Sequence, residues 1–319
     1  MDKKKIIELL RDDMRGEHQA VIQYLAHAYA LGEGEIPGDI EEMARDEMRH
    51  FDWLADVIVE LGGDPDMQRE PPDLSIEPPS VQMRKDVDLE QQAIDQYRDH
   101  MEQIEDEGIR RLLARIIHDE VEHQKKFRAF AEEFEQEGEP EPEGEEEEVS
   151  ERLADILNYG VRHEYTVILQ YLYHSFVADD WELKEEMERS AINEMQHMGW
   201  LGEELQERGQ QPDFNHLEPF LSRDHVANLK ANIDIEDEVT QAYSNQIPEV
   251  EDEEIREILA RVRDHEIYHS DVFRDLLEEA KERQGKGSPA KKPKAPEESD
   301  DEPKAPDVPS IGSLRNKRD

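Results

Sequence analysis

The sequence contains no cysteine among its 319 residues, which excludes disulfides, thiolate zinc sites, iron–sulfur clusters and a rubredoxin-type iron centre. It also lacks any apolar run long enough to span a bilayer. No secretory leader follows Met1, because the opening lysines lead into an amphipathic stretch. A soluble, cytoplasmic protein without a membrane partner is therefore expected.

Basic residues are few: 38 lysines and arginines stand against 83 aspartates and glutamates, and the formal net charge is −45. This balance argues against nucleic acid as a partner, since phosphate contacts need lysine and arginine. One interpretation is that the acidity draws metal ions to a site. The preferred interpretation is a halophile-like adaptation to high salt, because the excess is spread over the whole chain and salt screens the repulsion.

Strand signals are absent as well. Apolar residues recur at spacings of three and four over residues 3–31, 40–61, 81–107 and 109–136, and this periodicity predicts four helices. The proline-rich residues 64–80 show no periodicity and are too many for a tight turn. They predict a crossover along a helical bundle.

One pattern, E-x6-Y-x22-E-x2-H, occurs four times without an internal gap. The four copies are Glu17/Tyr24/Glu47/His50, Glu90/Tyr97/Glu120/His123, Glu164/Tyr171/Glu194/His197 and Glu236/Tyr243/Glu266/His269. Residues three or seven apart lie on one face of a helix. Each copy therefore predicts a Glu–Tyr face on one helix and a Glu–His face on the next.

The four copies fall into two halves of the chain. Adding 147 to the numbers of the first copy gives the third, and adding 146 to the second gives the fourth. This offset predicts a tandem duplication of a four-helix unit. The predicted boundaries are residues 1–137 for the first unit, 138–148 for an acidic linker, 149–284 for the second unit and 285–319 for a disordered tail.

The repeated glutamates and histidines must face the interior of each bundle, beside apolar residues such as Val21 and Leu25. Four glutamates and two histidines buried without partners would be costly. Two divalent cations in each unit remove that cost. Carboxylate oxygens and imidazole nitrogens suit iron or manganese, so the sequence leaves the metal open.

Two segments carry a family resemblance: EHQAVIQYLAH at residues 17–27 and DEMRH at residues 46–50. They resemble the metal-binding helices of bacterioferritin and its ferritin-like relatives, and the resemblance covers about residues 3–284. It implies an all-α fold of two tandem ferritin-like four-helix bundles plus the disordered C-terminal tail. It also implies a ferroxidase, which oxidises Fe²⁺ to Fe³⁺ with dioxygen or peroxide for iron storage or detoxification.

The resemblance assigns roles to the repeated residues, giving two di-iron sites per chain with manganese as the alternative metal. It implies that Glu47 and Glu120 bridge two irons in the first unit, and that Glu194 and Glu266 bridge two in the second. The other implied ligands are Glu17, His50, Glu90, His123, Glu164, His197, Glu236 and His269.

Residues around the ligands are expected to support them. The tyrosine of each copy (Tyr24, Tyr97, Tyr171, Tyr243) is expected to pack in the core with its hydroxyl on a glutamate. Asp46 and Asp119 lie one turn before a ligand histidine and are placed to hold an imidazole N–H. The second unit has Asn193 and His265 at these positions, which predicts a site of different affinity or redox behaviour.

The resemblance also bears on haem and assembly. Met48 and Met195 occupy the position that ligates haem between bacterioferritin subunits, but relatives without haem also carry methionine there, so haem is not expected. A fifth helix that helps to close the bacterioferritin cage is missing from the sequence pattern, so that cage is not expected. The two fused units are expected to pack together as a bacterioferritin dimer does, and a homo-oligomer stays open.

The predicted tail carries an isolated apolar patch, Ile311, Gly312, Ser313 and Leu314, within residues 308–315. This patch resembles the C-terminal targeting peptides of encapsulin cargo proteins. The resemblance implies docking to an encapsulin shell and a place inside an encapsulin nanocompartment. The alternative is an ordinary frayed terminus.

Other functions remain open at this stage. A rubrerythrin-like peroxide scavenger is disfavoured by the absence of cysteine, which removes the rubredoxin electron donor. A di-manganese protein would use the same ligands. A non-catalytic metal store, or an interaction protein with a vestigial bundle, would lack the oxidation of Fe²⁺ that a ferroxidase shows.

Overall fold

The computed structural model of the chain describes residues 2–32, 34–75, 77–138 and 150–286. These residues form eight α-helices and contain no strand, so the predicted all-α fold is confirmed. The helices are α1 Lys3–Leu31, α2 Glu35–Glu60, α3 Pro79–Gln103, α4 Glu107–Glu137, α5 Glu151–Phe176, α6 Trp181–Glu207, α7 His225–Gln246 and α8 Glu253–Lys286, with a short 3-10 helix at Ile247–Glu249. The chain divides into two compact units between residues 145 and 146, with α1–α4 in the first and α5–α8 in the second.

In the first unit α1 packs mainly against α2, and α3 packs mainly against α4; α1 also contacts α3, and α2 contacts α4. The segment between α2 and α3 runs along α1. The backbone N–H of Asp73 donates to Gln23 Oε1 at 2.8 Å, and His18 Nδ1 lies 3.2 Å from the carbonyl oxygen of Gln68. The predicted crossover along the bundle is therefore confirmed.

The second unit repeats this arrangement. Helices α5 and α6 form one pair, α7 and α8 form the other, and the segment between α6 and α7 runs along α5. The backbone N–H of Leu217 donates to Thr166 Oγ1 at 3.0 Å, and that of Phe220 donates to Gln170 Oε1 at 2.7 Å. Gln170 corresponds to Gln23 of the first unit, so the same position of the first helix holds the crossover in both units.

Helix starts explain where the sequence-based boundaries differ from the structure. Asp106 accepts hydrogen bonds from the backbone N–H groups of Gly108 and Ile109, so it caps α4 and ends the predicted third helix early. Helix α2 begins at Glu35 rather than near residue 40. Pro37 lies in its first turn, where its missing N–H has no intrahelical partner to lose.

The end of the second unit also differs from the prediction. Helix α8 continues to Lys286, two residues beyond the predicted boundary at residue 284, so the predicted tail begins inside this helix. Residues 139–148 of the predicted linker, residue 149 and the tail from residue 287 lie outside the described residues. Ile311, Gly312, Ser313 and Leu314 are among them.

Each core is apolar but holds charged groups at its centre. In the first unit the ring of Tyr24 packs on Phe127 with centroids 4.7 Å apart, beside the fully buried Leu10 and Met14. The second core is built around Val167, Tyr171, Met187, Ala191, Leu229, Ile233, Phe273 and Leu277. Within the described residues, no helix combines the length and apolar character that crossing a membrane requires.

Candidate metal centres

Every helix of the first unit sends at least one carboxylate to a common point in the core. Helices α1 and α3 contribute Glu17 and Glu90, and α2 and α4 each contribute a Glu–His pair. The side chains form two overlapping groups, Glu17/Glu47/His50/Glu120 and Glu47/Glu90/Glu120/His123, and the ligand atoms within each group lie within 4.8 Å of one another. All six residues are buried. The two groups share Glu47 and Glu120, which is the arrangement that two bridged cations need.

The distances place the shared glutamates between the two imidazoles. His50 Nδ1 lies 2.9 Å from Glu47 Oε2 and 3.0 Å from Glu120 Oε1. His123 Nδ1 lies 2.8 Å from the other oxygen of Glu47 and 3.4 Å from Glu120 Oε2. The two rings are 6.3 Å apart between centroids. In both rings Nδ1 is therefore the nitrogen that faces the carboxylates.

The second unit holds the same arrangement. Its overlapping groups are Glu164/Glu194/His197/Glu266 and Glu194/Glu236/Glu266/His269, again with ligand atoms within 4.8 Å and all residues buried. His197 Nδ1 lies 2.7 Å from Glu194 Oε2 and 3.0 Å from Glu266 Oε1. His269 Nδ1 lies 2.6 Å from Glu194 Oε1 and 3.5 Å from Glu266 Oε2. The structure thus brings all twelve residues of the sequence-predicted ligand sets into two clusters.

The four tyrosines connect the clusters across the bundle. Tyr24 of α1 donates to Glu90 of α3 at 2.6 Å, and Tyr97 of α3 donates back to Glu17 of α1. The second unit repeats this exchange: Tyr171 donates to Glu236, and Tyr243 donates to Glu164 at 2.5 Å. We call the glutamates that belong to only one group the terminal glutamates: Glu17, Glu90, Glu164 and Glu236. Each is therefore oriented by a hydroxyl from the facing helix.

The outer nitrogens of the imidazoles have different partners in the two units. His50 Nε2 lies 3.4 Å from Asp119 and His123 Nε2 lies 3.2 Å from Asp46, so each aspartate comes from the facing helix rather than from the histidine's own helix. In the second unit the corresponding partners are neutral groups. His197 Nε2 lies 2.8 Å from His265 Nδ1, and Asn193 Nδ2 lies 3.3 Å from His269 Nε2.

Burial and crowding shift the titration of the first cluster. Burial, followed by the charges of Glu120 and Glu47, raises the pKa of Glu17 well above its usual value, and the same causes raise that of Glu90. Burial alone would lower the pKa of His50 and of His123, but the surrounding carboxylates raise both well above the ordinary value. Burial also opposes ionisation of Glu47, yet the two imidazoles hold its pKa below the usual range. Without metal, the cluster therefore carries protons on its histidines and on its terminal glutamates.

The second cluster follows the same pattern. Burial, followed by the charges of Glu266 and Glu194, raises the pKa of Glu164 and of Glu236 well above the usual value. Against the effect of burial, the carboxylates raise the pKa of His269 to about 9. The histidines and the terminal glutamates therefore shift in the same direction in both clusters, although Asn193 and His265 replace two aspartates in the second.

The donor atoms fit a pair of divalent cations. The buried Oε2 atoms of Glu164 and Glu236 have no hydrogen-bond partner among the described residues. Buried polar atoms are rarely left so, because each costs stability. Four carboxylates carry four negative charges, which two divalent cations balance, and hard oxygen and nitrogen donors suit iron or manganese.

Sequence reasoning missed a buried pair beside the first cluster. His27 Nδ1 lies 2.7 Å from Asp86 Oδ2, and Gln23 donates to the other oxygen of Asp86 at 2.8 Å. In the second unit Asn232 takes the place of Asp86, and His174 contacts the carbonyl oxygen of Phe220 at 2.8 Å instead. The repeat could not reveal this pair because the aspartate occurs in one unit only.

The sequence matches the ferritin family, described as the ferritin-like domain, twice: over residues 7–136 and over residues 154–286. The chain belongs to the ferritin family. The predicted tandem of two ferritin-like domains is therefore confirmed.

Individual bacterioferritins are similar to parts of the chain. The ferritin-like chain is 33% identical to bacterioferritin of Desulfovibrio desulfuricans over 127 residues, which cover 38% of this chain and 71% of that protein. The crystal structure of a D. desulfuricans bacterioferritin, described as showing its diiron site in different catalytic states, has 30% identity, covers 43% of this chain and 83% of its own, and gives a TM-score of 0.41. Mycobacterium tuberculosis bacterioferritin has 24% identity, covers 42% and 88%, and gives a TM-score of 0.38.

The two methionines at the position of the bacterioferritin haem ligand lie outside both clusters of this ferritin-like chain. Met48 of α2 and Met195 of α6 are half-buried, and Met195 packs against the apolar core of the second unit. The expectation that the chain carries no haem stays a prediction.

Proposed function

We propose that each ferritin-like unit binds two divalent cations and that the chain oxidises Fe²⁺ to Fe³⁺ with dioxygen or peroxide as the oxidant. The observation that carries the proposal is the pair of buried glutamates shared by two Glu–His groups in each unit. The proposed ligands are the twelve residues of the two clusters. Iron in both sites is the preferred metal because the D. desulfuricans relative is described with a diiron site.

The protein side chains supply charge and position. In the first unit Glu47 and Glu120 would hold both cations, with Glu17 and His50 completing one position and Glu90 and His123 the other. Two bound ferrous ions supply the two electrons that reduce one dioxygen to peroxide or one peroxide to water. Because the four carboxylates are buried, their charges would be costly without the two cations.

The surrounding hydrogen bonds prepare the ligands for this role. An acceptor at Nε2 keeps the proton on that nitrogen and leaves the Nδ1 lone pair for a cation, as Asp119 does for His50. A tyrosine hydroxyl on one oxygen of each terminal glutamate leaves the other oxygen for the metal. The neutral partners His265 and Asn193 would make the imidazoles of the second unit weaker donors.

Stopped-flow absorbance after mixing the metal-free chain with Fe²⁺ and dioxygen tests the proposal. A ferroxidase should give a ferric signal faster than buffer, saturating near four iron equivalents per chain. Binding without oxidation would indicate a metal store. Consumption of peroxide by a manganese-loaded chain, without accumulation of ferric iron, would instead favour a di-manganese or rubrerythrin-like scavenger.

The tail adds a proposed partner. Its apolar patch, Ile311 to Leu314, lies outside the described residues, and docking to an encapsulin shell rests on the sequence resemblance alone. A tethered short peptide suits weak, multivalent docking, because ordering a few residues costs little. Co-expression with an encapsulin shell protein should load the full chain but not a chain ending at Pro309. Equal loading of both would reject the docking role.

A further inference from the structure

A cavity of about 400 Å³ links the first metal cluster to the surface between α1 and α3. Its exposed rim includes Asp12, Glu70 and Gln96, and its inner wall includes Glu17 and Glu90. The two shared glutamates of the cluster also line it. The cluster is therefore reached from solvent through a polar passage.

Asp13 lies in this passage, one helical turn before Glu17. Its side chain is buried, with one oxygen 2.8 Å from His100 Nδ1 and accepting from Gln96 Nε2 at 3.0 Å. The other oxygen, Oδ2, is buried and has no hydrogen-bond partner among the described residues. The passage thus offers a carboxylate oxygen to a cation between its rim and the cluster.

Gly16 keeps the passage wide. A Cβ atom added to this residue would meet no heavy atom within 4 Å, although the residue lies in the middle of α1 and lines the cavity. A glycine inside a helix is about 1 kcal/mol less stable than an alanine. Helix stability therefore does not explain the small residue at this position.

The corresponding place in the second unit is filled. Adding 147 to Asp12, Asp13 and Gly16 gives Tyr159, Gly160 and His163. The ring of Tyr159 stacks on that of His163 with centroids 6.3 Å apart, and it meets the ring of Tyr243 edge-on at 6.4 Å.

The ring of Tyr159 thus packs beside a tyrosine that donates to Glu164 of the second cluster. His163 is buried, and its Nε2 atom has no hydrogen-bond partner among the described residues. A Cβ on Gly160 would come within 2.5 Å of Leu201 and 2.8 Å of the Tyr243 hydroxyl. A side chain at residue 160, the position that Asp13 holds in the first unit, would therefore displace these neighbours.

We propose that the two units load divalent cations at different rates: the first through the passage beside Asp13 and Gly16, and the second slowly, because Tyr159 and His163 close the equivalent route. The inference rests on the proposed function, since it assumes that both clusters bind cations. A cation bound for the second cluster must wait for a local opening of the packed side chains. One chain then combines a rapidly filled site with a slowly filled one.

Two tryptophans provide a separate reporter for each unit. The ring of Trp53 lies 5.7 Å from that of His50, and the ring of Trp200 lies 5.5 Å from that of His197. Trp181 is 58% exposed and gives a constant background. The full chain with Trp200→Phe therefore reports the first cluster, and the full chain with Trp53→Phe reports the second.

The experiment mixes each metal-free reporter chain with Co²⁺ under anaerobic conditions and follows fluorescence quenching, which needs no oxidation. Quenching of Trp53 should be at least roughly tenfold faster than that of Trp200, if the second cluster waits for local opening. Gly16→His should slow the Trp53 phase and leave the Trp200 phase unchanged. Gly38→His is the matched control, because it adds the same side chain to a helical glycine outside the passage, also with no neighbour within 4 Å.

The reverse change opens the second unit. Tyr159→Asp combined with His163→Gly should speed the Trp200 phase towards the rate of the Trp53 phase. Equal quenching rates of Trp53 and Trp200 in the two reporter chains without further substitutions would overturn the inference. A Gly16→His chain that keeps the fast quenching of Trp53 would overturn it as well. Quenching of neither tryptophan at saturating Co²⁺ would instead reject metal binding itself, and with it the proposed function.

Discussion

Replacing Glu47 with glutamine is the sharpest test of the first cluster. Glu47 is 1% exposed, belongs to both overlapping groups, and has one oxygen within 2.9 Å of each imidazole. Glutamine keeps the shape of the side chain and its packing but removes the negative charge. The fold should survive, while both cation positions lose a shared ligand.

The magnitude follows from the distances. A unit charge about 3 Å from a unit positive charge interacts by roughly 6 kcal/mol at an effective dielectric constant of about 20. A hundredfold loss of affinity needs only about 2.7 kcal/mol. Removal of the Glu47 charge should therefore weaken cation binding in the first unit by more than about hundredfold, even if much of the lost interaction is recovered by relaxation.

The assay is an anaerobic Co²⁺ titration of the full chain followed by visible absorbance. The two overlapping groups in each unit predict about four equivalents for the unmodified chain and about two tight equivalents for Glu47→Gln. Glu194→Gln should give the same result through loss of the second cluster, and the double variant should bind none tightly. Glu42→Gln, an exposed glutamate of the same helix, is the control and should keep all four.

Four tight equivalents in Glu47→Gln, with unchanged affinity, would refute the shared-ligand reasoning. Two equivalents in the unmodified chain would mean that only one cluster binds metal. Loss of helical circular dichroism in Glu47→Gln would mean that the carboxylate supports the fold, and the Glu194→Gln titration would then carry the test.

Three further predictions concern the residues around the clusters. Tyr97→Phe removes the hydroxyl that orients Glu17 and should weaken binding in the first unit by roughly tenfold, measured by the same titration, while Tyr243→Phe should affect the second unit only. Cation binding should release protons and weaken as the pH falls, because the pKa of His269 is raised to about 9 and those of the terminal glutamates are also raised. An indicator dye measures the released protons, and absence of release would contradict these shifts. Burial lowers the pKa of His174 to about 4. Between about pH 6.5 and pH 4 this imidazole is therefore protonated in the unfolded chain but not in the folded one. Lowering the pH over that range should reduce the free energy of unfolding by up to roughly 3 kcal/mol through this group. Chemical denaturation of the full chain at both pH values should show a smaller loss in His174→Gln, and an unchanged loss would contradict the assignment.

Much of the site could be predicted because helical periodicity is local. Residues three and seven apart must share a face, whatever the rest of the chain does, so the repeated spacing alone identified Glu47, His50 and their equivalents. The offset between Glu17 and Glu164 likewise revealed the duplication without reference to any fold. Helix boundaries were less well predicted, because capping by Asp106 and the tolerance of Pro37 in a first turn compete with periodicity.

The partners across the bundle were decided only by the tertiary structure. The sequence placed Asp119 near His123 on one helix, whereas the packing of α2 against α4 brings Asp119 to His50. The passage beside Gly16 and its closure by His163 also depend on which side chains two helices bring together. Sequence alone determined which residues face inward, since that is a property of one helix. Which of them touch is a property of helix pairs, and it depends on distances that no single segment of the chain encodes.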